Sequence, residues 1–150
     1  MLVAVLIASA VMVPTQFYFS GLSDRLGRKR VYRWGAILTG LWSFALFPLI
    51  DTGSLPLIVL GITLGLAFLG MQYGPQAAYF TELFSTEVRY SGASLGYQIG
   101  AIVGGALAPT IAVLLWNELG IIFVSIYILL AALLTLWSLS LLEETGGQPL

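Results

Sequence analysis

The side chains with the clearest potential for chemistry form a small cluster of neutral polar groups inside a long uncharged stretch. Gln72, Tyr73 and Gln76 lie within residues 52–81, which contain no Asp, Glu, Lys or Arg. An amide in hydrocarbon is costly unless it meets a hydrogen-bond partner or a water-filled cavity. Because residues four apart share a helix face, Gln72 and Gln76 predict either a patch that binds a polar solute along a pathway or an interhelical hydrogen bond. Weaker candidates of the same kind are Gln16, Tyr97 and Gln98.

One short segment matches a hydrolase pattern. Residues 92–96 read Gly-Ala-Ser-Leu-Gly and fit G-x-S-x-G, in which the serine is a nucleophile. Such a serine needs a base, but the chain has no His, and its only lysine, Lys29, lies in a basic segment. Cys is also absent, which excludes thiolate nucleophiles and thiolate metal sites. We therefore expect a protein that is not an enzyme and that has neither a cofactor nor a metal site.

The charged segment with the most internal order is residues 20–30, Ser-Gly-Leu-Ser-Asp-Arg-Leu-Gly-Arg-Lys-Arg. An acidic residue, Asp24, is followed by Gly27 and then by three consecutive basic residues. A positive anchor at a membrane surface depends on the number of basic residues and not on their order. The order therefore distinguishes this segment from a simple anchor.

These groups belong to a chain that is too apolar for a water-soluble fold. Of its 150 residues, 59 % are hydrophobic and 9 % charged, with a mean hydropathy of +0.97, whereas soluble domains carry about 25 % charged residues. The charges separate five uncharged stretches, which are residues 1–23, 34–50, 52–81, 90–117 and 119–142. A membrane-spanning helix needs about 20 mostly apolar residues. The sequence therefore predicts an all-α integral membrane protein with five transmembrane helices.

The boundaries of these helices follow from the uncharged stretches. We expect helices at about residues 2–19, 32–49, 55–80, 91–115 and 119–142. Segments such as residues 124–134 do not alternate apolar and polar residues as barrel strands do. The expected connectors are residues 20–31, 51–54, 81–90 and 116–118.

Basic residues fall at only one end of the predicted helices. Five lie between residues 25 and 33, and the sixth is Arg89. The positive-inside rule places this end and the C-terminus in the cytoplasm, and Met1 outside. We expect a multi-pass protein of the cell (plasma or inner) membrane. An odd number of spans starting at Met1 suggests part of a longer chain, with a complete five-span protein as the alternative.

Glycines recur every four residues in the fourth predicted helix, at Gly92, Gly96, Gly100 and Gly104. Small residues at this spacing let helix backbones approach closely in lipid. The pattern predicts a face that packs against a neighbouring helix. Three of the prolines within the uncharged stretches, Pro14, Pro75 and Pro109, each free a backbone carbonyl and can kink the helix.

Residues 20–30 resemble the loop motif of the major facilitator superfamily, G-x-x-x-D-R-x-G-R-R/K, although Ser20 stands where the motif has Gly. Residues 82–92 are similar to the E-x-F-P-x-x-x-R-x-x-G segment of sugar-porter-like members, with Ser85 in place of Pro. Residues 73–98 look most like the metabolite:proton symporter family, which includes carriers of shikimate, α-ketoglutarate, citrate and proline/betaine. The resemblance implies a partial major facilitator fold, in which residues 1–150 are an incomplete C-terminal transmembrane domain, similar to helices eight to twelve of twelve.

The resemblance also implies a cytoplasmic gate built from the two motifs. Its residues are Gly21, Asp24, Arg25, Gly27, Arg28, Lys29, Arg30, Glu82 and Arg89. Asp24 would pair across the cytoplasmic face with a helix of the first half of the carrier. Arg25 and Arg28 would bridge to carboxylates, and Glu82 and Arg89 would complete the network. Such a network holds the outward-open state and breaks when the inside opens.

The function implied by the resemblance is transport of a small anionic or zwitterionic metabolite by proton-coupled symport with alternating access between two six-helix halves. The implied partners are the metabolite, a proton, the lipid bilayer and the missing N-terminal half, with no nucleic acid. No carboxylate is predicted at mid-membrane depth, so coupling residues would lie outside this chain. The alternative is a truncated protein that does not transport and serves as a helix-packing or assembly module, or is a decayed gene product.

Overall fold

The computed structural model describes residues 2–144, which form five long helices and no strand. The helices are α1 (Leu2–Leu26), α2 (Arg28–Asp51), α3 (Leu55–Glu82), α4 (Arg89–Leu119) and α5 (Ile121–Leu141). Each is long and apolar enough to cross a membrane. Even the shortest, with 21 residues, covers the bilayer core of about 30 Å at a rise of 1.5 Å per residue. The prediction of an all-α membrane protein with five transmembrane helices is confirmed.

Two connections are much shorter than the sequence predicted. Gly27 alone separates α1 from α2, and Gly120 alone separates α4 from α5, with φ angles of +101° and +97°. Glycine adopts this left-handed region at low cost, so one residue is enough to redirect the chain. The expected loops at residues 20–31 and 116–118 were wrong, because the residues on both sides of Gly27 and residues 116–118 before Gly120 are helical. The other connections, residues 52–54 and 83–88, lie within the predicted loops.

Helix α3 occupies the centre of the packing, with α1 on one side and α2 on the other. A Cβ added at Gly74 would lie 2.8 Å from the backbone oxygen of Gln16 and 2.9 Å from the backbone nitrogen of Ser20. One turn earlier, a Cβ at Gly70 would lie 3.1 Å from Thr15 Oγ1. These two glycines therefore set how closely α1 approaches α3.

Helix α2 also packs against α5, again through small residues. A Cβ at Gly40 would lie 2.9 Å from the Cβ of Ala132. A buried hydroxyl joins the helices, since Ser125 Oγ donates to the Ser43 carbonyl at 3.1 Å. Ser43 Oγ makes its shorter hydrogen bond to the Gly40 carbonyl of its own helix, at 2.7 Å, and lies 3.3 Å from the Ser125 carbonyl. Each hydroxyl thus has a hydrogen-bond partner, which a polar group needs in an apolar interior.

Helix α4 lies at the edge of the bundle, and none of its residues is buried. A π-helical segment, Ile102–Leu107, interrupts it just before Pro109. Proline lacks an N–H and its ring crowds the carbonyl four residues earlier, here that of Gly105. The wider π turn accommodates this local misfit.

The glycine line of α4 meets little of the chain. A Cβ at Gly92 would crowd the ring of Phe84, but at Gly96, Gly100 and Gly104 it would meet no atom within 4 Å. Residues 2–144 therefore supply no neighbouring helix for most of this face. The close helix contact expected there stays a prediction.

Candidate functional site

A groove of about 430 Å³ opens between α3 and α4. Its polar lining residues are Tyr73, Gln76, Thr81, Ser94, Tyr97 and Gln98. Four of the polar residues singled out in the sequence therefore share one cavity, although they come from two helices. The two tyrosines are about half exposed, at 49 % for Tyr73 and 53 % for Tyr97.

The groove offers hydrogen bonds and no fixed charge. Each glutamine amide both donates and accepts, and a tyrosine hydroxyl does the same. The lining contains no Asp, Glu, Lys or Arg, and its remaining side chains are apolar, such as that of Phe80. This combination suits a small polar solute that is oriented by a few hydrogen bonds on a mostly apolar surface.

Sequence reasoning missed two of the hydroxyl groups. Ser94 was considered only as part of the hydrolase pattern, but it lines the groove beside Tyr97 and Gln98. The sequence offers one signal for this role: Ser94 lies three residues before Tyr97 and four before Gln98, and residues at these spacings share a helix face. Thr81 also lines the groove, and its hydroxyl donates to the Ala78 carbonyl at 2.9 Å.

Two predicted pathway residues lie outside the groove lining. Gln72 Nε2 donates to Thr39 Oγ1 at 3.0 Å, which joins α3 to α2. Gln16 lies where α1 crosses the glycines of α3. Residues four apart are offset by about 40° around a helix, which is enough for Gln72 to meet α2 while Gln76 lines the groove. Of the two alternatives left by the sequence, Gln72 thus makes an interhelical hydrogen bond.

Arg28 joins three helices at the end that carries the basic residues. Its Nη1 lies 3.0 Å from Asp24 Oδ1 of α1, and its Nε lies 2.8 Å from Glu82 Oε2 of α3. The Nε–H is not aligned for a hydrogen bond, so the second contact is an ion pair by distance. The Arg28 and Glu82 side chains are each 16 % exposed, against 56 % for Asp24. The Arg28–Glu82 pair is therefore the better shielded from water.

A strap formed by Leu142, Glu143 and Glu144, which follow α5, crosses the same end. The backbone N–H of Lys29 donates to Glu144 Oε1 at 3.2 Å, and Lys29 Nζ donates to the Leu142 carbonyl. Tyr79, which is fully buried, donates its hydroxyl to the Glu143 carbonyl at 3.0 Å. The Glu144 carboxylate thus accepts from a free N–H at the start of α2, where a negative charge is favourable.

The other motif residues are spread over this end of the molecule. Arg89 Nε donates to the Phe84 carbonyl at 3.3 Å and so closes its own loop. Arg25 and Arg30 are exposed, and a Cβ at Gly21 would meet open space. Within residues 2–144, the geometry thus brings Asp24, Arg28 and Glu82 into direct contact.

Comparison with known proteins identifies the family. Residues 1–149 match the model of the Major Facilitator Superfamily. The chain belongs to this superfamily. It is 39 % identical over 153 aligned positions to the inner membrane metabolite transport protein YhjE of Escherichia coli, covering 100 % of this chain and 34 % of that protein. No solved structure shows a significant match.

Two further relatives carry names that state a solute. The shikimate transporter of Escherichia coli is 34 % identical over 85 % of this chain and 30 % of its own length, and the proline/betaine transporter of the same species is 28 % identical over 97 % and 30 %. The chain thus spans about a third of the length of these relatives. Membership of the Major Facilitator Superfamily confirms that this multi-pass membrane protein belongs with transporters and not with enzymes.

Proposed function

We propose that this chain forms the C-terminal part of a major facilitator carrier, corresponding to helices eight to twelve of twelve. The carrier moves a small anionic or zwitterionic metabolite by alternating access, and the N-terminal half completes the pathway opposite the α3–α4 groove. The observation that carries this proposal is the groove, where Gln76, Tyr97 and Gln98 present hydrogen-bonding groups on an apolar surface. Among the relatives, shikimate carries a carboxylate and betaine is a zwitterion, which agrees with a solute recognised by neutral donors and acceptors.

The same proposal assigns the Arg28 cluster to a cytoplasmic gate. Asp24, Arg28 and Glu82 join α1, α2 and α3 at one end. The six Lys and Arg side chains at that end support a cytoplasmic orientation under the positive-inside rule. Arg25, Lys29, Arg30 and Arg89 would add contacts to the N-terminal half. A network of this kind biases a two-state equilibrium by a few kcal/mol at most.

The proposal includes coupling of solute transport to the movement of protons. The groove lining holds no carboxylate, so the protonated group would come from the N-terminal half of the carrier. Collapsing an imposed pH gradient with a protonophore should then abolish accumulation of the solute while leaving exchange of labelled for unlabelled solute intact. Accumulation that persists without the gradient would contradict symport with protons.

The test of transport is a chimera in which this chain replaces the matching segment of the Escherichia coli shikimate transporter. We expect shikimate uptake by the chimera and none by this chain alone in liposomes. In the chimera, Gln76→Ala and Gln98→Ala should each raise the apparent KM for uptake about 10-fold, because a charge-assisted hydrogen bond contributes about 1.5–3 kcal/mol. The matched control is Gln72→Ala, which removes an amide outside the groove lining and should leave KM unchanged.

A second candidate function is an assembly module that does not transport. The open glycine face of α4 favours it, since Gly96, Gly100 and Gly104 meet no other atom within 4 Å in residues 2–144. A well-inserted chimera without uptake, in which the chain still binds the N-terminal half, would support this module and contradict the carrier.

A further inference from the structure

A second cavity lies at the end of the bundle opposite the Arg28 cluster. It has a volume of about 530 Å³, is partly open and is bounded by α2, α4 and α5. Its lining includes Phe47, Val113, Trp116 and Val124, and its one charged residue is Asp51. The volume lies within the range of small-molecule sites, and all three walls belong to this chain.

This cavity has a buried apolar floor and an exposed rim. Val124 is 7 % exposed and forms the floor, whereas Trp116 and Val113, at 61 % and 53 %, form the rim. Nearby, the Ser125 hydroxyl donates to the Ser43 carbonyl and joins α5 to α2. Both serine hydroxyls donate to backbone carbonyls and neither serine lines the cavity, so they do not compete for a ligand.

The charged residues at this end, Asp51 and Glu118, are both acidic. Asp51 is the last residue of α2, and Glu118 lies in the final turn of α4. All six Lys and Arg side chains belong to residues 25–33 and 89, at the opposite end of the helices. Within residues 2–144, Asp51 therefore has no Lys or Arg side chain at its own end, and a cation from outside this chain would complement it.

We propose that this cavity is a binding site for a small lipophilic amine, with the ammonium group on the Asp51 carboxylate and the apolar body against Phe47, Val113 and Val124. The site is separate from the α3–α4 groove, with which it shares no lining residue. A neutral amphiphile of the same shape would fill the cavity but could not make a charge-assisted hydrogen bond to the Asp51 carboxylate. Because Asp51 is exposed, the amine is preferred over its alcohol by about 2- to 5-fold.

The test uses this chain in phosphatidylcholine nanodiscs and the probe dansylcadaverine, a primary amine, alongside the dansyl alcohol of equal chain length. Binding is followed by energy transfer from tryptophan, and Trp116→Phe identifies the signal that arises at the cavity. We expect saturable binding of the amine about 2- to 5-fold tighter than that of the alcohol. Asp51→Asn should reduce the amine to the affinity of the alcohol.

The matched control is Glu118→Gln, which removes a carboxylate at the same end that is outside the cavity lining and should leave both affinities unchanged. Ala112→Phe fills the cavity and should weaken both probes. Equal affinities of amine and alcohol for the unmodified chain, or an unchanged amine affinity in Asp51→Asn, would overturn the proposal. Loss of amine binding on replacing half of the phosphatidylcholine by phosphatidylethanolamine would also overturn it, since a lipid headgroup would then be the occupant.

Discussion

At the scale of single residues, Arg28 shows how shielding from water separates two ion pairs made by one side chain. Its contact with Asp24 joins residues four apart, and the Asp24 side chain is largely exposed, whereas its contact with Glu82 is between two mostly covered side chains. Exposed i, i+4 pairs contribute about 0.3–0.5 kcal/mol. Removing the partner of a covered charge lowers the free energy of unfolding by more, because the remaining charge stays desolvated and unpaired.

We therefore expect Glu82→Gln to lower the free energy of unfolding by about 1–2 kcal/mol and Asp24→Asn by less than about 0.5 kcal/mol. Unfolding of the purified chain in mixed micelles by increasing fractions of dodecyl sulfate, followed by circular dichroism, measures both. A double-mutant cycle with Arg28→Gln isolates each pair. Equal coupling energies for the two pairs would contradict the role of shielding.

Gly74 gives the second prediction at this scale. An added methyl group would meet backbone atoms of α1 at 2.8 and 2.9 Å, and backbone cannot move aside as a flexible side chain can. Gly74→Ala should therefore destabilise the chain by about 1–3 kcal/mol. Gly100→Ala is the control, because that position is open and alanine favours the helix by up to about 1 kcal/mol. The prediction fails if both variants change the unfolding midpoint equally.

At the scale of elements, the turn between α1 and α2 lies against the strap that follows α5. Gly27 has a φ of +101°, and a Cβ there would lie 2.8 Å from Glu144 Oε2. Gly53, in the turn between α2 and α3, also has positive φ, at +67°, but a Cβ there would meet open space. The two turns thus differ both in backbone conformation and in the space around the glycine.

We expect Gly53→Ala to destabilise the chain by about 1 kcal/mol, the usual cost of left-handed backbone for a residue with a side chain. Gly27→Ala should cost about 1 kcal/mol more, because φ +101° and ψ 135° form a conformation that residues other than glycine rarely adopt. In a Glu144→Ala background this excess should persist, because the exposed, flexible Glu144 side chain can move aside. Unfolding in mixed micelles measures all four variants. An excess at Gly27 that disappears without the Glu144 side chain would show that crowding by the strap, and not backbone strain, sets the cost.

At the scale of the whole molecule, the bundle is closely packed on one side and open on the other. Small residues bring α1, α2, α3 and α5 together, while α4 has no buried residue and a glycine face without a neighbour in residues 2–144. In lipid, apolar exposure alone is not unfavourable, so helix association depends on close packing and hydrogen bonds. This open face is where the proposed N-terminal half would pack.

Replacing Gly96, Gly100 and Gly104 together by Leu should not lower the stability of this chain, because the three positions are open and leucine has a better helix propensity than glycine. In the shikimate transporter chimera the same triple variant should abolish uptake, because the larger side chains would hold the halves apart. Uptake is measured with labelled shikimate, and membrane insertion is checked by immunoblot. Full uptake by the triple variant would contradict the proposed interface.

The sequence by itself determined the number of spans, their helical character and the clustering of positive charge at one end. These properties are local along the chain, because the transfer of each apolar stretch into hydrocarbon depends on its own composition. The helix ends were less predictable, since Gly27 and Gly120 each turn the chain in one residue and charged residues beside Gly27 remain helical.

The tertiary structure alone decided which polar groups meet. Gln72 and Gln76 are one turn apart, yet one bonds Thr39 of α2 and the other lines the groove with Tyr97. The docking of Glu144 on Lys29 joins residues at opposite ends of the sequence. Such contacts depend on how each helix is rotated about its axis and on which helices lie beside it. The packing of small residues sets both, and the local composition of a helix does not determine them.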